Sequence, residues 1–433
     1  MWMNYIFFIN IIITLYKNIK SNDSNKYIIL PFRTERPKIT KDNFLSVYLS
    51  NEIFTDIEIG TPIQKIPINI NFENYPFFIS GSELKNLPNI FFNESKSLTY
   101  KKNSTYSYEI SHYLFEKGYF SNDTIILNNN KINELIFILA SKESYDIKYS
   151  GQIGLRLSSN TKENNQKITN YHFINILKKY NLISNYDFTI IYKNEFEGNL
   201  IIGKRLDEIY KENYNYENYI KTIGSPRSFE IRWHIIFDNF YYKNYSNQSI
   251  EVDIYIENGL IQCPDSIFDS FINNIFKNDI DNKICDIKEF YFTRFIICNF
   301  NFDILKVGNF SFEIKDINYN FTFMPQNLFY NINEIGKLFV FSNRKLSNHW
   351  RFGKPFFQTF NITFNKDRKI IGLYKQYGGI NKGNQLNWYN VILIIICIIL
   401  IIFIGYLLFL YSKINKKNKI KAQELNEEYN QLY

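Results

Sequence analysis

Short apolar runs separated by turn-forming residues govern what most of this chain can fold into. From about Lys26 to Leu410, clusters of Ile, Phe, Tyr and Val alternate with Asn, Gly, Asp and Pro. β-Branched and aromatic residues favour strands, whereas the intervening residues favour turns. The one convincing soluble helix is residues 171–180, where apolar side chains recur near helical spacing. The sequence therefore predicts a mainly β fold with a few short helices.

Length and charge narrow the function classes. The 433 residues suffice for two lobes, each with its own core. Aromatic residues make up 18% of the chain, but Ile, Asn and Lys are abundant with them, as AT-rich coding produces. The net charge of +8 is spread along the chain without a dense basic arm. Both features argue against a nucleic-acid partner. The four histidines are scattered, so we expect no metal and no other cofactor.

An apolar run near the C-terminus predicts a membrane anchor. Residues 391–410 are long and apolar enough to cross a bilayer as one helix. Trp388 and Tyr389 precede this run and Tyr411 follows it, as interfacial anchors do. Several lysines come next, so the tail, residues 412–433, is expected to be cytoplasmic. We therefore predict a transmembrane helix over residues 391–411 and a lumenal or extracellular ectodomain before it.

A second apolar segment lies at the N-terminus. Residues 5–15 have the length of a signal-peptide core, and we predict a signal peptide over residues 1–21. No basic residue precedes the segment and no clear cleavage site follows it, so a signal anchor is the alternative. The resulting prediction is a single-pass protein of the secretory pathway or cell surface. Glycosylation sequons fit such an ectodomain; they begin at Asn93, Asn103, Asn122, Asn244, Asn247, Asn309, Asn320 and Asn361.

Six segments resemble, in order, those of the pepsin-like aspartic peptidases, the eukaryotic aspartyl proteases. They are IGTPIQ (59–64), NDTIIL (122–127), SGQIGL (150–155), GNLIIGKRLDEIY (198–210), RWHIIFDNFYY (232–242) and WRFGKPFFQTFNITFNKDRKIIGL (350–373). The resemblance covers about residues 50–375. It implies a bilobal, pepsin-like double β-barrel, with lobes over residues 51–215 and 216–375 and a peptide cleft between them.

The flanking segments also have counterparts in this family. Residues 22–50 contain YIILPFRTERPK, which resembles a shortened propeptide strand; an N-terminal strand of the mature protein is the alternative. Residues 376–390 are a polar linker to the membrane. Cys298 lies in a segment similar to the second-lobe cysteine segment of the family, and Cys285 is its nearest candidate partner. One disulfide is expected among the ectodomain cysteines Cys263, Cys285 and Cys298, and Cys285–Cys298 is the candidate pair.

The first catalytic motif of the family is degenerate in this chain. Aspartic peptidases use one carboxylate from each lobe, and the two share a proton and a water. Laid on the family's Asp-Thr-Gly motif without a gap, the chain places Asn71 at the catalytic Asp, Phe72 at the Thr and Glu73 at the Gly. An amide can hydrogen-bond a water, but it cannot take its proton.

The second motif is degenerate as well. The segment GLIQCPDSIFDSF, residues 259–271, resembles the strand and helix that follow the second catalytic loop. Counting back from it puts Tyr255 at the catalytic Asp, Ile256 at the Thr and Glu257 at the Gly. Asp253, two residues earlier, would be the Asp if this alignment were shifted.

Three consequences follow from these substitutions. The family's Thr hydroxyls bond across the lobe interface, and we expect Phe72 and Ile256 to replace that polar clamp with an apolar contact. Glu73 and Glu257 either form a substitute carboxylate pair or lie on relaxed loops and point to solvent, and we favour the second interpretation. The family's flap Tyr falls near Ser111, although a small shift would recover Tyr113.

The sequence thus predicts a membrane-anchored aspartic protease homologue that is catalytically inactive and binds a peptide or protein. The first alternative is an active aspartic endopeptidase with atypical catalytic residues. The second is a structural or adhesive surface protein that uses the fold as a scaffold.

Overall fold

A computed structural model describes most of the chain between residues 26 and 375. It covers residues 26–34, 43–72, 76–84, 88–103, 115–127, 130–143, 149–157, 171–222, 232–243, 245–332, 334–345 and 349–375, together with residues 411 and 413. The chain divides into a compact unit, Met1–Lys375, and a second unit, Gln376–Tyr433. The architecture below is that of the first unit.

Strands dominate the described residues, as the punctuated apolar runs predict. They are β1 Ile28–Thr34, β2 Ile53–Ile59, β3 Gln64–Asn71, β4 Phe77–Ser80, β5 Lys101–Lys102, β6 Phe115–Leu127, β7 Asn130–Glu143, β8 Gly151–Gly154, β9 Asp187–Tyr192, β10 Glu197–Ile202, β11 Tyr216–Lys221, β12 His234–Tyr242, β13 Tyr245–Ile254, β14 Ile261–Gln262, β15 Cys285–Phe290, β16 Thr293–Cys298, β17 Phe310–Ile314, β18 Tyr319–Phe323, β19 Phe329–Ile332, β20 Gly336–Arg344, β21 Trp350–Phe352, β22 Ile362–Asn365 and β23 Ile370–Tyr374.

Helices are few and short, and the predicted mainly β class is confirmed. The helices are Phe44–Leu49, Phe173–Lys179, Leu206–Ile209, Asp265–Phe271, the π-helical turn Ile272–Phe276, Lys277–Asp281 and Lys354–Thr359, with 3₁₀ turns at Glu94–Lys96, Ile304–Val307, Lys315–Ile317 and Pro325–Asn327. The helix Phe173–Lys179 lies inside the span predicted from periodicity. His172 caps it by accepting a hydrogen bond from the Ile174 amide through Nδ1 at 3.3 Å.

The first sheet contains 13 strands in the order β11-β23-β22-β9-β10-β1-β2-β3-β8-β4-β7-β6-β5. Because β6 also pairs with β2, the strands β2, β3, β8, β4, β7 and β6 close into a six-stranded barrel. The last strands, β22 and β23, return from the far end of the chain to join β9 and β11. The first sheet therefore contains strands from both ends of the described segment 26–375.

The second sheet contains ten strands drawn from the intervening residues. Its order is β15-β16-β20-β14-β21-β13-β12-β17-β18, and β19 pairs with β20. The described pairings close a barrel in the first sheet, whereas the second sheet follows an open path. The double-barrel prediction is therefore confirmed for the first sheet alone among the described residues. Five aromatic rings pack against one another in the second sheet: those of Phe240, Phe310, Phe312, Phe341 and Trp350.

The predicted signal peptide, linker, transmembrane helix and cytoplasmic tail lie outside the described residues, apart from Tyr411 and Lys413. Within the described part of the chain, none of the helices has the length and apolarity that a bilayer crossing requires.

Candidate active-site loops

The two sheets present the same three-strand arrangement around one loop each. In the first sheet, the loop after β3 leads into β4, and β8 lies between these strands, parallel to β3 and antiparallel to β4. In the second sheet, the loop after β13 leads into β14, and β21 lies between them, parallel to β13 and antiparallel to β14. The loop after β3 and the loop after β13 are therefore topologically equivalent.

Strand register makes Asn71 and Tyr255 equivalent within these loops. Asn71 pairs with Gly154 at the end of β3, and its carbonyl accepts a hydrogen bond from the Leu155 amide at 2.7 Å. The Tyr255 amide donates to the Phe352 carbonyl at 2.8 Å, which extends the β13–β21 ladder by one residue. Each residue thus ends the strand that leads into its loop.

Asn71 and Tyr255 are both buried, with 8% and 3% of their surfaces exposed. The Arg232 and Arg351 guanidinium carbons lie 5.3 and 5.1 Å from the centre of the Tyr255 ring. Cations near an aromatic face are attracted by the ring quadrupole. Cationic side chains therefore flank the position at which the family carries its second catalytic Asp.

Asp253 is engaged by its own neighbours. Its Oδ1 lies 2.9 Å from His234 Nδ1, and its Oδ2 lies 3.9 Å from Arg232 Nη1. It is an internal residue of β13, paired with Arg351, and so it precedes the loop. The shifted alignment would thus assign the catalytic role to a strand residue that is already bound to a histidine.

Phe72 lies in a dry aromatic cluster. Its ring centre is 5.8 Å from Phe188, 5.7 Å from Phe357 and 5.3 Å from Phe364, each in an edge-on arrangement. Phe72 is 3% exposed, and Ile256 is fully buried in the same hydrophobic core. Phe72 thus makes apolar contacts, as the sequence led us to expect.

Glu257 does not point to solvent, and that expectation is wrong for this residue. Its carboxylate accepts a hydrogen bond from the Phe72 backbone amide, and this contact joins the two loops. A charged acceptor makes a stronger hydrogen bond than a neutral one, so a loop-joining polar contact survives without the Thr hydroxyls. The sequence shows that Glu257 accompanies two apolar replacements, Phe72 and Ile256. It does not show in which direction the Glu257 side chain points.

Backbone contacts from the start of the first lobe hold the second loop in place. The Asn51 amide donates to the Glu257 carbonyl at 2.7 Å, and the Asn51 side chain donates to the Ile256 carbonyl at 2.7 Å. The Asn51 side chain also donates to the Tyr192 hydroxyl at 2.7 Å, and burial raises the pKa of that tyrosine. Gly259 lies so close to the Tyr48 carbonyl that a Cβ at this position would collide with it.

Lys354 adds a buried cation beside this loop. Its amide donates to the Asn258 carbonyl at 2.7 Å, and its Nζ lies 5.3 Å from the Phe196 ring and 5.6 Å from the Tyr330 ring. Desolvation lowers the pKa of Lys354 to about 8, although the nearby charge of Glu195 acts in the opposite direction. The helix Lys354–Thr359 thus begins with a cation that the protein interior disfavours.

Three predicted site residues, Glu73, Ser111 and Tyr113, lie outside the described residues. The pairing of Glu73 with Glu257 and the flap positions therefore stay predictions. Within the described ranges, no group of three or more His, Cys, Asp or Glu side chains is placed to hold a metal.

The Cys285–Cys298 disulfide is present, joining directly opposed residues of β15 and β16. Cys263 is a buried free thiol whose pKa is raised by desolvation. A polar cavity of about 320 Å³ lies elsewhere, lined in part by Asp187 and Asn365. Phe188 and Phe364 alternate with these residues on β9 and β22, so the cavity opens on the sheet face opposite the Phe72 cluster.

Comparison with known proteins supports one assignment. No curated protein matches the chain. The family model described as eukaryotic aspartyl protease matches residues 52–376 of the 433-residue chain. This span contains both equivalent loops, the first-sheet barrel and the returning strands β22 and β23. The chain therefore belongs to the eukaryotic aspartyl protease family.

Proposed function

We propose that this protein is a proteolytically inactive aspartyl protease homologue that binds a peptide or protein between its lobes. The observation that carries the proposal is the pair of residues at equivalent loop ends, Asn71 and Tyr255. General acid–base hydrolysis by this fold needs two carboxylates with separated pKa values that share one proton. An amide and a phenol cannot supply that pair.

The surroundings of Tyr255 favour the same conclusion. Two guanidinium groups next to this residue would form ion pairs with any acid placed there, so its oxygens would not be free to share a proton with position 71. The Glu257 carboxylate, the nearest acidic substitute on this loop, accepts the Phe72 amide hydrogen bond. A carboxylate committed to a backbone donor is poorly placed to activate a water.

We assign to the retained fold the function of binding a ligand without cleaving it. A cleft bordered by strand edges can hold an extended peptide through main-chain hydrogen bonds, with side-chain pockets giving specificity. The loops are held by Asn51 and Glu257 rather than left loose, which favours a preorganised binding surface. We expect no nucleic acid among the ligands.

A peptide-library digest tests the catalytic part of the proposal. The full-length protein in detergent is incubated with the library at acid pH, with and without pepstatin, and products are identified by mass spectrometry. We expect no pepstatin-sensitive cleavage and no change in the Glu73→Gln variant. Pepstatin-sensitive cleavage that Glu73→Gln abolishes would establish an active endopeptidase with an atypical carboxylate pair.

A binding measurement on the same library tests the ligand part. Retention of peptides by the wild-type protein, and weaker retention by a Tyr255→Ala variant that still unfolds cooperatively on heating, would support cleft binding. Capture of a protein partner that is unaffected by this change would favour the scaffold function instead. Leu305→Ala serves as the control, because the Leu305 side chain is 71% exposed.

Membrane anchoring is the remaining part of the proposal. It is supported by the apolar segment 391–411, the interfacial aromatics and the lysine-rich tail. Alkaline carbonate extraction of cell membranes should leave the protein in the pellet. Protease added outside intact vesicles should remove only the tail, residues 412–433. Release of the protein by carbonate would contradict a spanning helix.

A further inference from the structure

Arg351 presents a cationic group that the rest of the described protein leaves uncompensated. It is the central residue of β21, between Trp350 and Phe352, whose side chains pack into the core of the second sheet. Side chains alternate along a strand, so Arg351 faces away from that core, toward Tyr255. Its Nε is buried and has no hydrogen-bond partner among the described residues.

The cross-strand neighbours of Arg351 do not supply its counter-ion. Asp253 is directly opposite Arg351 on β13, but its carboxylate oxygens bind His234 and Arg232 instead. On the other side, Gln262 of β14 pairs with Arg351, and its Oε1 is likewise buried without a partner. A buried donor without a partner is costly, and the cost is greater for a charged group.

The surroundings of Arg351 favour an anion. The nearest acidic neighbour across the sheet, Asp253, lies within 4 Å of Arg232 and His234, and Arg351 forms no ion pair with the described residues. Tyr255 holds the Arg351 guanidinium carbon 5.1 Å from its ring centre and is itself buried. A guanidinium held against a ring keeps its planar fork of donors oriented, which suits bidentate pairing with a carboxylate.

We propose that Arg351, beside Tyr255, binds a carboxylate of the peptide ligand, so that the cleft selects acidic peptides. The inference rests on the proposed function, because it assumes that a peptide occupies this region. The carboxylate has two sources, an Asp or Glu side chain within the peptide or the carboxylate at its C-terminal end. The site would thus have exchanged the family's second catalytic carboxylate for a receptor of the opposite charge.

Three matched peptide pools test the inference on the full-length protein in detergent. All are random nonapeptides acetylated at the N-terminus. The first has a central Glu and an amidated C-terminus, the second a central Gln and an amidated C-terminus, and the third a central Gln and a free C-terminus. The measured quantity is the ratio of pool affinities, which does not depend on the fraction of protein that is folded.

We expect the wild-type protein to bind the first or the third pool roughly tenfold more tightly than the second, as one charge-assisted hydrogen-bonded pair provides. Preference for the first pool identifies an acidic side chain, and preference for the third identifies the chain end. Arg351→Gln should abolish the preference, and Arg351→Lys should retain part of it. Arg344→Gln, at an exposed arginine of β20, should leave it unchanged.

Three outcomes would overturn the inference. Equal binding of all three pools by the wild-type protein, or a preference that persists in Arg351→Gln, would remove the carboxylate site and leave the proposed peptide binding intact. Failure of every pool to bind would overturn both the inference and the peptide-binding proposal.

Discussion

At the scale of single residues, Phe72 shows how one side chain sets the packing at the end of β3. Its ring has three aromatic neighbours and almost no exposed surface, at a position that we align with the family's Thr. We predict that Phe72→Ala lowers the free energy of unfolding by about 3–5 kcal/mol, because it removes buried apolar area and leaves a cavity. Chemical denaturation of the purified protein measures this change. Phe292→Ala, at a 70% exposed ring, should cost almost nothing.

The Phe72→Thr variant tests whether position 72 accepts only an apolar side chain or can still form the polar contact of the family. The substitution restores the family residue, but it places a hydroxyl among the rings of Phe188, Phe357 and Phe364. It should therefore destabilise the protein about as much as Phe72→Ala. A Thr variant as stable as the wild type would mean that the polar clamp can still form.

Lys354 gives a pH-dependent prediction at the same scale. Its pKa is lowered from 10.5 to about 8 in the folded protein, so between these values the unfolded chain binds more protons than the folded one. Below pH 8 the charged Lys354 therefore lowers the free energy of unfolding. This cost decreases as the pH rises from 8 toward 10.5. Lys354→Met removes this cost, so the free energy of unfolding of the variant should exceed that of the wild type by about 3 kcal/mol at pH 7.

The test compares the two proteins across the pH range rather than at one pH. The stability difference between Lys354→Met and the wild type should shrink as the pH rises from 8 to 10.5. Other groups that titrate in this window, such as Lys366, contribute equally to both proteins and cancel. A constant difference would show that Lys354 stays charged in the folded state.

At the scale of elements, β1 decides whether the N-terminal segment is a removable propeptide. It pairs with β10 through six residues and with β2, and its Ile28, Leu30 and Phe32 side chains are at most 3% exposed. Downstream, residues 43–59 already form the helix Phe44–Leu49 and β2, so they offer no spare strand. We predict that the mature chain begins before Lys26. N-terminal sequencing of protein purified from membranes checks this, and a start near residue 50 would contradict it.

Elements also mark the limit of what the sequence could predict. The β-rich class, the helix near residue 173 and the Cys285–Cys298 pair follow from local patterns or from the family resemblance. The inward direction of Glu257 and the isolation of Arg351 do not. Each depends on contacts between segments far apart in sequence, Phe72 with Glu257 and β21 with β13. Periodicity reports which face of a strand is buried, but it does not report which distant strand will be its neighbour.

At the scale of the whole molecule, the peptidase fold can be present without catalytic activity. The fold supplies two equivalent loops, so restoring both acids with Asn71→Asp and Tyr255→Asp tests whether acids alone are missing. We predict that this double variant shows no pepstatin-sensitive turnover at acid pH. A carboxylate at position 255 would lie beside Arg232 and Arg351, and ion pairs with these guanidinium groups would keep its oxygens from sharing a proton and a water with position 71.

The pH profile of a further variant isolates this cause. Adding Arg351→Leu to the double variant removes one neighbouring charge and should raise the pKa of the new carboxylate, detectable by carboxyl NMR titration. The hydroxyl contacts of the family would still be missing at Phe72 and Ile256, so we expect the acid to titrate normally without efficient turnover. Turnover in the double variant itself would show that the surrounding loops had kept a catalytic geometry and that only the two carboxylates had been lost.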